Sequence, residues 1–270
     1  MLHKEEKLRI LEDILLHLDS VLVAYSGGVD STLLLKLCND ALKEKVLAVT
    51  AKSPIYPLQE LNSAIEMAKS LSIRHRIIET GELENQKFVA NSTDRCYHCK
   101  LNLFHHLKQI AEEEGLRNIA DGSNYDDFND YRPGMRAAAE LGVCHPLQDA
   151  KLTKEEIRIL AKEIGLPVWE KPSLACLASR FPYGTPITRE SLMKVDKAET
   201  FLHGLGIGQL RVRHYDKTAR VEVESQDMHI VVGEKNCHRI LKYFEELGYL
   251  HVTLDLAGYR SGSMNEELVT

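Results

Sequence analysis

A short stretch near the N-terminus constrains the fold of this chain more than any other part of it. Residues 24–32 read AYSGGVDST; the apolar residues 21–23 precede them and the apolar run 33–35 follows. This order predicts a buried strand, a tight two-glycine turn and the start of a helix. Glycines let backbone N–H groups approach a ligand closely, and a helix N-terminus favours negative charge. The stretch therefore predicts a pyrophosphate-binding loop.

The side chains of this loop favour a nucleotide bound together with a metal ion. Ser26, Ser31 and Thr32 supply hydroxyl donors. Asp30 would repel a bare phosphate, so it is predicted to hold Mg²⁺, directly or through water. The Walker pattern is absent and the loop contains no lysine. An ordinary strand–turn–helix junction is the alternative, and the serines and the aspartate around the two glycines count against it.

Composition narrows the class of protein. The 270 residues are 44% hydrophobic and 27% charged, with a net charge of -6. These values predict a globular protein with one large domain and one smaller domain, and they disfavour a broad nucleic-acid surface, although a local basic patch stays open. No apolar run reaches the length of a membrane span and residues 1–6 do not resemble a signal peptide, so a cytoplasmic location is expected. The six cysteines are then expected to be reduced, catalytic or metal-binding.

Strands and helices alternate through the first part of the chain. Helices are predicted at about 4–18, 58–71, 97–114 and 154–164, and strands at about 21–23, 46–50, 75–79 and 118–121. This alternation predicts an α/β fold with a doubly wound parallel sheet. Ala51, Gly122 and Ser123 follow strands, at the carboxyl edge where such sheets bind ligands. Thr153 with Glu156 predicts a capping box at a helix start.

The last third of the chain follows a different pattern. A helix is predicted at 189–205, a β-hairpin from the alternating residues 209–214 and 219–224, a helix at about 235–247 and a strand at 250–256. Pro167 and Pro172 interrupt the preceding pattern. We therefore predict two domains, residues 1–168 and residues 169–270, the second being a small α+β unit.

Cys176 is the first candidate for chemistry outside the loop. It lies in a segment rich in proline and glycine, residues 171–185, and Arg180 is close enough in sequence to favour a thiolate. A buried structural cysteine is an equally weighted alternative, because free cysteine is usually buried.

Cys96 and Cys99 form a CxxC pair, which is a moderate signal for redox chemistry or metal binding. The pair with one distant cysteine fits a three-cysteine iron–sulfur cluster that leaves one iron open. Zinc and a reduced pair without metal remain alternatives.

Arg211 and Arg213 form the third candidate group. Two residues apart on a strand, both point to one face, where two guanidinium groups could bind phosphate or carboxylate. Glu222 lies on the same face of the partner strand, so cross-strand ion pairing is the alternative.

Several of these motifs resemble known families. Residues 26–32 resemble the PP-loop of ATP pyrophosphatases, which cleave ATP to AMP and pyrophosphate while activating a substrate. Five further stretches narrow the resemblance to the LarE-type sulfur transferases over nearly the whole chain: LACLASRFPYGT at 174–185, GSNYDD at 122–127, YRPGMR at 131–136, RVR at 211–213 and DLAGYRSGSMN at 255–265.

The resemblance implies an ATP-dependent enzyme with a PP-loop, or HUP-like, fold. LarE-type enzymes convert the carboxylates of pyridinium-3,5-biscarboxylic acid mononucleotide to thiocarboxylates, for the nickel-pincer cofactor of lactate racemase. Adenylation makes each carboxylate an electrophile, and sulfur then displaces AMP. The implied partners are this small nucleotide substrate and further copies of the chain, without nucleic acid or membrane.

The resemblance also assigns residues. Asp30 and Cys176 would be catalytic. ATP and Mg²⁺ would be bound by Ser26, Gly27, Gly28, Asp30, Ser31, Thr32, Ala51, Gly122 and Ser123. The substrate would be bound by Arg211, Arg213, Glu199 and Glu222. In cluster-carrying members, three cysteines hold a [4Fe-4S] cluster that delivers an extra sulfide, and Cys96, Cys99 and Cys176 match that pattern. In other members, the cysteine at the position of Cys176 gives up its own sulfur and becomes dehydroalanine; we favour the cluster type.

Three other functions compete with this one. A tRNA thiolase would be expected to carry a basic RNA surface, which the net charge of -6 disfavours. An amide-forming synthetase would need an ammonia source, and no glutaminase domain is visible. A non-enzymatic iron–sulfur or nucleotide carrier would not need a complete pyrophosphate loop.

Overall fold

The structure, a computed structural model, describes residues 3–129, 133–172, 175–260 and 262–264, and these ranges contain eleven α-helices and seven β-strands. The helices are α1 (Lys4–His17), α2 (Val29–Leu42), α3 (Leu58–Ser70), α4 (Gln86–Val89), α5 (Arg95–Glu113), α6 (Gly134–Glu140), α7 (Pro146–Asp149), α8 (Lys154–Glu163), α9 (Arg189–His203), α10 (Met228–Val232) and α11 (Glu234–Glu246). The strands are β1 (Val21–Ala24), β2 (Val46–Lys52), β3 (His75–Glu79), β4 (Asn118–Asp121), β5 (Leu210–Tyr215), β6 (Thr218–Val223) and β7 (His251–Leu254). Parts of the quoted motifs, namely residues 131–132, 174, 261 and 265, lie outside the described residues.

The chain divides into two compact units. The first comprises residues 1–82 and 94–174, and the second comprises residues 83–93 and 175–270. The domain boundary predicted at 168/169 stays a prediction. Within the ranges that the structure describes, no helix is both long and apolar enough to cross a membrane.

The first unit contains the predicted parallel sheet, in the order β3-β2-β1-β4. Val21 of the central strand β1 pairs with Val46 on one side and with Asn118 on the other, both in parallel. All four carboxyl ends therefore lie along one edge of the sheet. The prediction of an α/β fold with a doubly wound parallel sheet is confirmed.

Helices cover both faces of this sheet because successive strand residues point to opposite sides. Val21 and Val23 pack into a core with apolar residues of α1, α2 and α8, whereas Leu22 packs against α5 and α6. The predicted capping box is present at the start of α8: Thr153 accepts the backbone N–H of Glu156, and the Glu156 carboxylate accepts that of Thr153.

The second unit contains a three-stranded sheet in the order β5-β6-β7. The predicted hairpin is confirmed, with Leu210 opposite Val223 in an antiparallel pair, and β7 joins β6 in parallel. Helices α9 and α11 pack on this sheet around a core that includes Phe244. The short helix α10 between the hairpin and α11 was not predicted.

A segment from the middle of the chain completes the second unit. Residues 83–93 contain α4 and lie against residues 181–187. Ile187 donates its backbone N–H to the Val89 carbonyl at 2.9 Å. The buried amide of Asn91 donates to the carbonyls of Pro182 at 2.7 Å and Thr185 at 3.0 Å. These bonds explain why the segment belongs with residues far along the chain.

Candidate active site

The loop between β1 and α2 forms as the sequence predicts, and its glycines are required by close packing. Gly27 has a φ of +73°, and a Cβ placed there would lie 2.8 Å from the Cβ of Ala64 on α3. Helix α2 begins at Val29, and Gly28 before it supplies no side-chain cap, so the first N–H groups of the helix keep their capacity for a ligand. The Ser26 and Ser31 hydroxyls lie 3.0 Å apart within the loop. This arrangement suits the oxygens of a pyrophosphate.

The end of β4 packs directly against this loop. A Cβ on Gly122 would lie 2.8 Å from the backbone nitrogen of Ser31, so only glycine fits there without displacing the helix start. Ser123 follows, and its N–H donates to the Asp121 carboxylate at 3.0 Å. The predicted Gly122 and Ser123 therefore lie at the carboxyl edge beside the loop.

Ala51 lies at the same edge of the sheet. The ladder between β1 and β2 ends at the pair of Ala24 and Val49, whereas β2 continues beside β3 to Lys52. Ala51 therefore extends beyond the end of β1, in the region where nucleotides bind to open α/β sheets.

Asp30 lies in the first turn of α2 and already has a cationic partner. Lys154, the first residue of α8, forms an ion pair with its Oδ2 atom. The Oδ1 atom is buried and has no hydrogen-bond partner among the residues that the structure describes. An unpartnered carboxylate oxygen beside a pyrophosphate loop fits a divalent cation.

A second lysine supports the loop from the other side. The Lys171 ammonium donates to the Gly27 carbonyl at 3.2 Å and pairs with Glu60 of α3 at 2.6 Å. Sequence reasoning missed both Lys154 and Lys171, because they lie more than a hundred residues from the loop and carry no local motif. The fold supplies the cations that the loop itself lacks.

Asp121 forms a buried charged cluster at the end of β4. Its Oδ1 atom lies 2.7 Å from Nδ1 of His145, and Lys100 lies 3.6 Å from its Oδ2 atom. Burial alone would raise the pKa of Asp121, but Lys100, His145 and the Ser123 N–H together hold the pKa well below its usual range. The carboxylate is therefore ionised beside the predicted nucleotide site. Sequence reasoning missed His145 because its partner depends on the bridge between residues 120 and 144.

The six cysteines carry thiols rather than disulfides. Cys96 and Cys99 are half-buried in the first turns of α5, in the first unit, whereas Cys176 is half-buried in the second unit. Cys38 is inside the core, where burial raises the pKa of its thiol to about 12. Among the described residues, no group of three or more His, Cys, Asp and Glu side chains is arranged to hold a metal ion.

Cys176 immediately precedes a 3₁₀ helix, Leu177–Arg180, that a buried arginine holds in place. Arg180 is 1% exposed and forms two parallel bonds to the Glu199 carboxylate, at 2.9 and 2.8 Å. Its Nη1 donates to the backbone carbonyl of Cys176 at 3.0 Å. Arg180 was expected to favour a thiolate at Cys176. In the structure its guanidinium binds the Glu199 carboxylate and backbone carbonyl oxygens, because a buried charge needs such partners.

Arg213 is buried within a second charged network. It donates to Glu222 at 2.7 Å, to the Ser263 hydroxyl at 2.8 Å and to the Ser179 carbonyl at 2.8 Å. Its Nε atom is a buried donor with no hydrogen-bond partner in the described part of the chain. The bond between Arg213 of β5 and Glu222 of β6 is the cross-strand ion pairing considered above, and Glu222 also pairs with Arg220 of its own strand at 3.0 Å.

Arg211 lies beside this network and is itself buried. Burial, with the nearby charge of Arg180, lowers the pKa of Arg211 to about 10. Its guanidinium lies 5.0 Å from the centre of the Tyr259 ring. Glu199, predicted to bind substrate, is 6% exposed, and it accepts bonds from Arg180 and from the Val212 N–H. The two buried carboxylates, Glu199 and Glu222, are therefore partners of the arginines.

Comparisons with known proteins match both parts of the chain. A family profile described as NAD synthase matches residues 11–100, which include the loop, β1 to β3 and the CxxC pair. A protein of Lactiplantibacillus plantarum named pyridinium-3,5-bisthiocarboxylic acid mononucleotide synthase is 38% identical over 253 residues, 93% of this chain and 91% of that protein.

Two further relatives align over similar lengths. An uncharacterized protein of Synechocystis sp. is 42% identical over 98% of both chains. Another of Methanocaldococcus jannaschii is 34% identical over 89% of this chain and 91% of that protein. The similarity thus extends across both units rather than over the loop alone.

Proposed function

This chain belongs to the family of the pyridinium-3,5-bisthiocarboxylic acid mononucleotide synthases, the LarE-type sulfur transferases, and from this premise we propose that it uses ATP to insert sulfur into pyridinium-3,5-biscarboxylic acid mononucleotide. The observation that carries the proposal is one chain with a complete pyrophosphate loop and, in its second unit, a buried cluster of arginines. The loop suits adenylation, and guanidinium groups suit a substrate with phosphate and carboxylates. The thiocarboxylate product would serve the nickel-pincer cofactor of lactate racemase.

The first step is adenylation of a substrate carboxylate. A carboxylate oxygen attacks the α-phosphorus of ATP, the bond to the β,γ-pyrophosphate breaks, and an acyl adenylate forms. The N–H groups at the start of α2 and the Ser26 and Ser31 hydroxyls hold the departing pyrophosphate. Sulfur then attacks the acyl carbon and AMP leaves with the former carboxylate oxygen.

Asp30 is the residue that would hold Mg²⁺ at this loop. Its buried, unpartnered Oδ1 atom and its place in the first turn of α2 fit a divalent cation beside phosphates. Bound there, the ion would neutralise charge on the phosphate oxygens.

Arg211 and Arg213 are the proposed substrate-binding groups in the second unit. Glu199 and Glu222 set the positions of the neighbouring arginines through the bonds described above. Arg213 also binds the Ser179 carbonyl, three residues after Cys176, so the same side chain links the arginine cluster to the cysteine segment.

The proposed sulfur source is a [4Fe-4S] cluster on Cys96, Cys99 and Cys176. What supports it is chemical: three half-buried thiols, two of them one helical turn apart on α5. Such a cluster leaves one iron open for a sulfide. Because no ready group of three metal-ligating side chains occurs among the described residues, the steps above do not pass through it. In the alternative, the Cys176 sulfur bonds to the acyl carbon as AMP leaves; loss of the Cα proton and cleavage of the Cβ–S bond then release the thiocarboxylate and leave dehydroalanine.

Substrate-dependent release of pyrophosphate tests the proposed function. The protein, incubated anaerobically with ATP, Mg²⁺, sulfide and the biscarboxylate, is expected to form pyrophosphate and a product in which sulfur replaces carboxylate oxygen, detected by mass spectrometry. Arg211→Ala should lose product formation, whereas Arg239→Ala, on an exposed face of α11 in the same unit, should keep it. An equal rate of pyrophosphate release with and without the biscarboxylate would contradict the proposal.

Iron analysis and protein mass distinguish the two sulfur sources. After anaerobic purification, an iron-dependent absorbance that disappears in Cys96→Ala supports the cluster. An iron-free protein that loses the mass of hydrogen sulfide at Cys176 after turnover supports the sacrificial route.

A further inference from the structure

The ion pair between Lys154 and Asp30 joins the loop to a helix that begins more than a hundred residues later in the sequence. We propose that Lys154 is a positioning residue that occupies Asp30 until nucleotide binds, so that a divalent metal ion reaches Asp30 only together with nucleotide. This inference rests on the proposed binding of ATP at the loop. It assigns a role to a residue that no functional motif of the sequence includes.

The backbone of Lys154 is held in place, whereas its side chain is partly exposed. It is the first residue of α8, directly after the capping box of Thr153 and Glu156. Its own N–H donates to Asp126 at 2.8 Å. Its side chain is 28% exposed, so the ammonium group can leave Asp30 without any change in the core. A lysine has a flexible four-carbon stem, which suits such an exchange.

The Asp30 carboxylate is only half satisfied by this lysine. Oδ2 is taken by the ammonium group, whereas Oδ1 is buried without a hydrogen-bond partner among the described residues. A metal ion approaching Asp30 must compete with an existing positive charge at short range. Nucleotide phosphates bring negative charge to the loop, and they favour both the metal and the release of the ammonium group.

Lys171 shows why Lys154 is the residue that exchanges. The Lys171 ammonium group is held by the Glu60 carboxylate and by the Gly27 carbonyl, neither of which is the predicted metal ligand. It therefore fastens the loop to α3 whether or not metal is bound. Of these two lysines, Lys154 alone has the predicted metal ligand as its partner.

Competition between the Lys154 ammonium group and a metal ion for Asp30 couples the binding of metal to the binding of nucleotide. Metal binds weakly without nucleotide and tightly with it, and the nucleotide gains the same factor from the metal. Removing the charge of Lys154 raises the affinity for metal alone and thereby reduces the coupling factor. Arginine at this position keeps the charge and should keep the coupling.

Binding of Mn²⁺, followed by the free-ion signal in electron paramagnetic resonance, measures this coupling without turnover. The full-length protein is titrated with Mn²⁺, with and without a non-hydrolysable ATP analogue. Lys154→Gln is expected to raise the affinity for Mn²⁺ alone about fivefold, a factor that corresponds to a partly exposed ion pair. Lys154→Arg should behave as the wild type, and Lys7→Gln should too, because it removes a lysine paired with Glu156 of the same helix.

The outcomes separate the inference from the proposed function. An Mn²⁺ affinity in Lys154→Gln equal to that of the wild type overturns the role of Lys154. So does a raised affinity that persists in the double variant with Asp30→Asn, because the metal would then lie elsewhere. A wild-type protein that binds no ATP analogue, even with Mn²⁺, contradicts the proposed function itself. Thermal unfolding of each variant checks that the fold is intact.

Discussion

At the scale of single residues, the nucleotide loop depends on a contact that admits no side chain. A Cβ on Gly122 would lie 2.8 Å from the Ser31 nitrogen. Gly122→Ala is therefore expected to displace the start of α2, to lower the free energy of unfolding by about 1–3 kcal/mol and to weaken ATP binding. Urea unfolding and titration with an ATP analogue measure the two effects.

Gly208 provides the matched control for this substitution. A Cβ there would meet no atom within 4 Å, and its φ is not in the left-handed region. Gly208→Ala should leave both the unfolding free energy and nucleotide binding unchanged. Equal behaviour of the two alanine variants would show that the contact at Gly122 has no energetic consequence.

The Asp121 carboxylate is expected to make the free energy of unfolding depend on pH in the acidic range. The folded-state pKa lies below the unfolded value of 3.8, so below about pH 4 the unfolded chain binds a proton that the folded chain does not. The stabilisation is complete above the unfolded pKa and is lost as pH falls through the folded pKa. Relative to Asp121→Asn, the wild type is expected to gain stability as pH rises from about 3 to about 5, and the difference should then stay constant. Urea unfolding across this range checks it; a difference that does not change within the range would contradict the assignment.

At the scale of elements, the short segment of residues 83–93 holds part of the second unit together. Asn91 is fully buried, has a φ of +54°, and its amide binds the carbonyls of Pro182 and Thr185. Asn91→Ala removes these bonds and adds backbone strain, so a loss of about 2–3 kcal/mol in unfolding free energy is expected.

Asn91→Gly separates the two contributions. Glycine tolerates the positive φ but lacks the amide, so it should recover only the part of the loss that strain causes. Chemical unfolding of both variants measures the difference. Wild-type stability in Asn91→Ala would mean that the segment does not hold residues 182–185.

Elements with strong local signals could be predicted from the sequence. Strands β3 and β4 begin and end where the apolar pattern indicates, and the hairpin of β5 and β6 follows its alternation. Helices α4 and α10 are too short to show a helical period, so they were missed. The capping box at Thr153 was predicted because both partners lie within one turn.

The candidate site was predictable only where it is continuous in sequence. Residues 26–32 were identified because glycines, hydroxyls and a carboxylate follow one another. Lys154, Lys171 and His145 were not, because their partners at Asp30, Gly27 and Asp121 become neighbours only in the folded sheet. Ion pairs between distant residues produce no periodic pattern in a single sequence, so they cannot be predicted from it.

At the scale of the whole molecule, charge and connectivity set the limits on function. The net charge of -6 fits a small anionic substrate bound by locally buried arginines better than a broad RNA surface. The boundary predicted near the prolines, at 168/169, stays a prediction. Residues 83–93 belong to the second compact unit, so the backbone passes between the two units three times.

This crossing has a consequence for synthesis on the ribosome. Val89 and Asn91 leave the ribosome long before their partners at Ile187, Pro182 and Thr185 exist. During that interval Phe88, which is 1% exposed in the finished protein, has no completed core to enter. The nascent chain therefore carries an uncovered aromatic side chain until residues 181–187 have been made, and such exposed apolar surface is what chaperones bind.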